Sequence, residues 1–105
     1  MLQKLSEVTR STLRAVDLVG RWGGEEFVVL LPETDAQKAG EVAERLRSDI
    51  EATQVAAANQ HIRMTVSVGY TMLQSNEHDI NALVKRADSA LYQAKQAGRN
   101  RIAQG

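Results

Sequence analysis

An α+β fold follows from three features of this 105-residue sequence. Two strand-like runs, Asp17–Trp22 and Glu26–Leu31, flank Gly23-Gly24, and a glycine pair supplies the positive φ of a tight hairpin. Stretches on both sides of that hairpin repeat their apolar residues at helical spacing. A late segment, Ile62–Met72, alternates and is rich in β-branched residues. Adjacent antiparallel strands followed by alternating helices and strands imply a sheet with helices packed against it.

The elements follow in order. Leu2, Leu5, Val8, Thr9 and Leu13 predict an amphipathic helix over 2–14, with Arg10 and Arg14 at the negative end of its dipole. Pro32 ends the second hairpin strand. Thr34 or Asp35 caps a helix whose stripe is Ala36, Ala39, Val42, Ala43, Leu46 and Ile50. Residues 53–61 are polar and alanine-rich without a period, and are read as a loop. Ile62–Met72 is read as one strand, and Ser75–Asp79 as a turn ending in the cap Asp79. Ile80, Leu83, Val84, Ala87, Leu91 and Ala94 mark the last helix, which Gly98 stops through the left-handed conformation open to glycine. Arg101–Ala103 is read as a short edge strand.

Composition narrows the function. The chain has the size of one small domain. Thirteen basic and thirteen acidic residues cancel, so no general nucleic-acid or membrane surface is expected. Without cysteine there are neither disulfides nor thiolate metal sites. No apolar run is long enough to span a bilayer, and MLQKLSEVTR is not a signal peptide, so the cytoplasm is the expected location. His61 and His78 lack ligand spacing and are assigned no role.

Chemistry concentrates in Arg21-Trp22-Gly23-Gly24-Glu25-Glu26-Phe27. Gly23 and Gly24 clear a hairpin tip for a phosphate or ribose. Glu25 and Glu26 offer the oxygen ligands that Mg²⁺ takes beside substrate phosphates. Neighbouring residues on a strand face opposite ways, so the two glutamates cannot act alike unless the backbone bends between them. Alone, this stretch reads more simply as a hairpin with two solvated glutamates.

The stretch resembles the GGDEF (diguanylate cyclase) family signature in its GGEEF form, and the resemblance runs on. Phe27–Pro32, Ala43–Arg47, Thr65–Gly69 and Arg86–Asn100 look like successive family segments in the family's order. The resemblance implies a nucleotidyl-cyclase, palm-like fold with a ferredoxin-like core. It implies condensation of two GTP into cyclic di-GMP in bacterial signalling, with Mg²⁺ and two domains facing each other. Glu25 would be the metal ligand and a catalytic residue, and Glu26 a second acidic group at the reacting centre. Gly23 and Gly24 would make room for the nucleotide, while Lys95 and Arg99 would bind its phosphates. Cations at a helix C-terminus are also favourable on dipole grounds, and both roles can hold together. Arg14-Ala15-Val16-Asp17 resembles the Arg-x-x-Asp of an inhibitory cyclic di-GMP site, with Arg45 as its additional arginine. Trp22 stands where the family carries a packing aromatic.

No stretch here resembles the metal-binding first strand or the guanine-contacting helix that open the family's domain. Residues 1–105 are therefore expected to be a partial GGDEF domain, truncated at the N-terminus by roughly a third and inactive alone. The absent strand would sit between the Glu26–Leu31 and Met64–Tyr70 strands, leaving open edges that recruit partners. A homodimer is expected in preference to closure within one chain. Two alternatives stand beside the enzyme: a module binding cyclic di-GMP through Arg14, Asp17 and Arg45, and an oligomerising fragment without ligand.

Overall fold

A computed structural model of the chain describes residues 2–14, 18–21, 27–57, 60–74, 77 and 79–105. The order is α1 (Leu2–Thr12), β1 (Leu18–Arg21), β2 (Phe27–Leu30), α2 (Ala36–Ala52), β3 (Gln54–Ala57), β4 (Gln60–Arg63), β5 (Val68–Tyr70), α3 (Ile80–Gln96) and β6 (Ile102–Gln104). The α+β class holds.

The hairpin strands pair antiparallel, with Leu18 opposite Leu30 and Arg21 opposite Phe27. Asp35 caps α2 as its spacing predicts, its carboxylate accepting from the Lys38 amide at 2.8 Å. The buried stripe of α2 is Ala39, Ala43, Leu46 and Ile50. Asp79 caps α3 by accepting from the Asn81 amide at 2.9 Å. The α3 stripe departs in part from its pattern: Ala90 and Ala94 are buried, while Ile80 in the first turn is 49 % exposed.

Two readings are corrected. The stretch read as a loop over 53–61 contains strand instead at 54–57 and 60–61, where β3 and β4 form an antiparallel pair with Gln54 opposite Arg63. Ile62–Met72 is not one strand, because pairing stops at residues 64–67. The segment changes partners there: β4 pairs back onto β3, and β5 pairs parallel to β6, with Val68 opposite Ile102. Among the described residues the strands pair as three two-stranded ribbons.

Side chains on β5 place the layers. Neighbouring residues on a strand point to opposite faces. A Cβ on Gly69 would stand 2.2 Å from the Leu91 amide nitrogen of α3. A Cβ on Gly40 of α2 would stand 2.8 Å from the Tyr70 hydroxyl. Gly69 therefore faces α3 and Tyr70 faces α2, so the β5–β6 ribbon lies between the two helices. Alanines on the helices allow this close approach. α1 packs on α2, where the Thr12 hydroxyl meets the Asp49 carboxylate at 2.7 Å.

Phe27, Val28, Val29 and Leu30 form an all-apolar strand, the pattern of a strand covered on both faces, yet each is only half-buried. Among the described residues β2 pairs only with β1 and β5 only with β6. β2 and β5 do not pair with each other among these residues. No large side chain is fully buried among them either.

Arg86 ties the segment before α3 to that helix. It donates to the Thr71 hydroxyl at 2.6 Å, to the Met72 carbonyl at 3.0 Å and to Glu77. The Arg86 hydrogen bond holds the Glu77 carboxyl below its ordinary value of 4.5. A lowered carboxyl stabilises the folded chain fully above its unfolded value, and that contribution fades as pH falls through the folded one. The melting temperature is therefore expected to fall more steeply below about pH 4.5 in the natural chain than in Glu77→Gln. Parallel acid limbs in the two proteins would contradict this.

Candidate functional site

The described residues divide the sequence-predicted site residues. Gly23, Gly24, Glu25 and Glu26, together with Asp17 and Trp22, lie outside them. Arg14, Arg45, Lys95 and Arg99 lie within. Among the described residues no three His, Cys, Asp or Glu side chains gather as a metal site.

Lys95 occupies the last turn of α3, where the helix dipole favours a cation. The Ala97 amide bonds back to the Gln93 carbonyl at 2.9 Å, and the Arg99 amide to the Ala94 carbonyl at 3.0 Å. Gly98 takes φ 124°, which ends the helix as its position predicts. Lys95 and Arg99 are both exposed, and neither side chain has a hydrogen-bond or ion-pair partner among the described residues. Among the described residues they are two cations without partners at one end of α3.

Arg14 follows α1 and reaches the turn between β2 and α2. One guanidinium nitrogen donates to the Pro32 carbonyl at 3.1 Å and to the Thr34 hydroxyl at 3.0 Å. That turn needs bracing, because Glu33 carries φ 52°. Arg45 lies exposed on α2, at an open cavity of about 600 Å³ lined also by Gln37, Glu41, Tyr70 and Ile102. Arg14 thus braces the start of the helix that carries Arg45.

Sequence reasoning missed a polar clasp between α2 and the end of α3. Arg47 donates to Glu44 at 2.7 and 2.6 Å, to Glu51 at 3.3 Å and to the Asn100 side-chain oxygen at 3.0 Å. The Asn100 amide donates in turn to Glu51. These hydrogen bonds hold the Glu44 carboxyl below the usual carboxylate range and raise the Arg47 guanidinium further above its own. The Glu44, Arg47 and Glu51 part of the clasp is a charge pattern at helical i,i+3 and i,i+4 spacing, but its reach to Asn100 has no local pattern.

A family model for the diguanylate cyclase GGDEF domain matches residues 1–101. The chain belongs to the GGDEF family. Diguanylate cyclase A of Treponema denticola is 37 % identical over 102 residues, covering 97 % of the chain and 28 % of the relative. Diguanylate cyclase SiaD of Pseudomonas aeruginosa, solved with its activator SiaC, superposes with a TM-score of 0.93 at 40 % identity. That match covers 99 % of this chain and 40 % of SiaD. The GGDEF domain of DgcB from Caulobacter crescentus, solved with c-di-GMP, gives a TM-score of 0.90 at 26 % identity, over 98 % of this chain and 61 % of that one. The GGDEF chain therefore has the fold of these cyclase domains and spans about a quarter of the first relative's length. No helix among its described residues is long and apolar enough to cross a membrane.

Proposed function

We propose that this GGDEF chain forms part of the catalytic domain of a diguanylate cyclase, acting on GTP to make cyclic di-GMP. The observation that supports the reading is that Lys95 and Arg99, which the resemblance proposes as phosphate ligands, are exposed and without a side-chain hydrogen-bond or ion-pair partner among the described residues. Glycines 23 and 24 would let the nucleotide approach the backbone, and Glu26 would stand as an acidic group at the reacting centre. Glu25 is the proposed Mg²⁺ ligand, and that ion would supply charge neutralisation on the phosphates. Two chains facing each other, each with one GTP, would form two phosphodiester bonds and release two pyrophosphates. Cations at the end of α3 suit the substrate's triphosphate, since positioning and charge stabilisation carry most of phosphoryl-transfer catalysis.

Titration of the chain with GTP and Mg²⁺ tests this. Binding is expected, and Lys95→Ala or Arg99→Ala is expected to weaken it about tenfold, as loss of one charge-assisted contact does. No binding, or binding unchanged in both variants, would overturn the reading.

A second reading, a cyclic di-GMP site built from Arg14, Asp17 and Arg45, is favoured by one observation. Arg14 and Arg45 are both exposed, and Arg14 donates to the turn that starts α2, the helix that carries Arg45. The product's two phosphates suit paired arginines.

A further inference from the structure

Left-handed backbone runs through three successive residues after α3. Gly98, Arg99 and Asn100 have φ of 124°, 63° and 47°. Glycine takes this conformation freely and asparagine tolerates it, but arginine gains nothing from it. Such a run persists only where the surroundings over-determine it. They do so from both sides. Before the run, the Arg99 amide bonds to the Ala94 carbonyl at 3.0 Å. After it, the Val68 amide of β5 bonds to the Arg101 carbonyl at 3.0 Å.

The third restraint is a side chain. Asn100 is gripped at both ends of its amide, the oxygen by Arg47 at 3.0 Å and the nitrogen by Glu51. Arg47 cannot swing away easily, because Glu44 and Glu51 hold its guanidinium and its side chain is only 16 % exposed. A rigid ion-paired fork on α2 therefore fixes the residue that follows Arg99. Yet the Arg99 guanidinium makes no hydrogen bond or ion pair among the described residues. The clasp secures a strained turn whose central cation makes no hydrogen bond or ion pair with the described residues.

We propose that Asn100, held by Arg47 and Glu51, is a positioning residue that fixes Arg99 for the phosphates of a nucleoside triphosphate. The inference rests on the GTP reading above and adds to it where the binding geometry comes from. Asn100 touches no ligand in this account. It acts by removing the freedom that Arg99 would otherwise lose on binding.

The probe is GTP with Mg²⁺, titrated into the intact chain at low and high salt. The variants are Arg99→Ala, Asn100→Gly, Arg47→Lys and the double Arg99→Ala/Asn100→Gly. Glycine at position 100 keeps the left-handed backbone and deletes only the amide, so the fold should survive, and a melting curve checks it. Asn100→Gly is expected to weaken GTP nearly as much as Arg99→Ala, about tenfold. It should also flatten the salt dependence, although it removes no charge. A purely structural residue would not do that. Arg47→Lys, which keeps the charge but loses the fork, should behave like Asn100→Gly. The double variant should bind no worse than Arg99→Ala alone. Additive losses, or Asn100→Gly binding like the natural chain while Arg99→Ala is weakened, would overturn this inference and leave the GTP reading standing. No GTP binding by the natural chain would overturn both.

Discussion

Gly69→Ala should unfold the chain, or leave it with a melting transition far below that of the natural protein. The added methyl would stand 2.2 Å from the Leu91 nitrogen, 2.3 Å from the Ala87 carbonyl oxygen and 2.7 Å from the Leu91 Cα. All three are backbone atoms of α3, so no side chain can turn aside. Overpacking a core costs about 1–3 kcal/mol where neighbours can adjust, and here the whole helix would have to lift. Lifting α3 would pull Ala90 and Ala94, both buried, away from their packing. The unfolded chain loses some freedom on gaining a methyl, worth about 0.4–1 kcal/mol in the opposite direction, which is too small to compensate. Gly20→Ala is the control, because a Cβ there meets nothing within 4 Å. Circular dichroism melts of the two variants decide it. Equal melting temperatures would show that α3 does not lie on β5 as closely as described.

Much of this architecture was legible because local signals and tertiary demands agreed. Asp35 and Asp79 cap the helices their positions predict, and Gly98 stops α3. The β1–β2 pair forms across the glycine pair of the sequence, with Arg21 opposite Phe27. The failures share a cause. β3 and β4 are built from residues such as Gln54, Ala56, Ala57 and Gln60, which have weak strand preference and no alternation. Their pairing comes from the backbone, and a residue pattern does not record it. Ile62–Met72 failed the other way: alternation continues through residues 64–67 although the partner strand changes there. Period alone says which face a residue takes, not which strand lies alongside. The site divides similarly. The resemblance proposes Lys95 and Arg99 as phosphate ligands, and both stand exposed at the end of α3. The grip of Arg47 on Asn100 spans 53 residues, and only the folded chain brings them together.

Arg14→Ala is expected to cost the chain about tenfold to hundredfold in affinity for cyclic di-GMP, by loss of one charge-assisted contact at about 1.5–3 kcal/mol. The structure adds a competitor to that contact. Arg14 already donates to the Pro32 carbonyl and the Thr34 hydroxyl, at 3.1 and 3.0 Å. A bound phosphate would have to draw the guanidinium from this brace, and a carboxylate or phosphate is the stronger acceptor. The two partners of the brace therefore predict opposite outcomes. Thr34→Ala removes an acceptor that competes for Arg14, so it should leave cyclic di-GMP binding unchanged or tighter. Both variants loosen the turn at Glu33, so both should melt somewhat earlier. Stability and binding then move together in Arg14→Ala and apart in Thr34→Ala. Calorimetric titration of the two variants, each with its melting curve, separates the roles. If Arg14→Ala binds like the natural chain, Arg14 only braces the turn. If Thr34→Ala loses as much affinity as Arg14→Ala, the ligand needs the braced turn itself and not a released guanidinium.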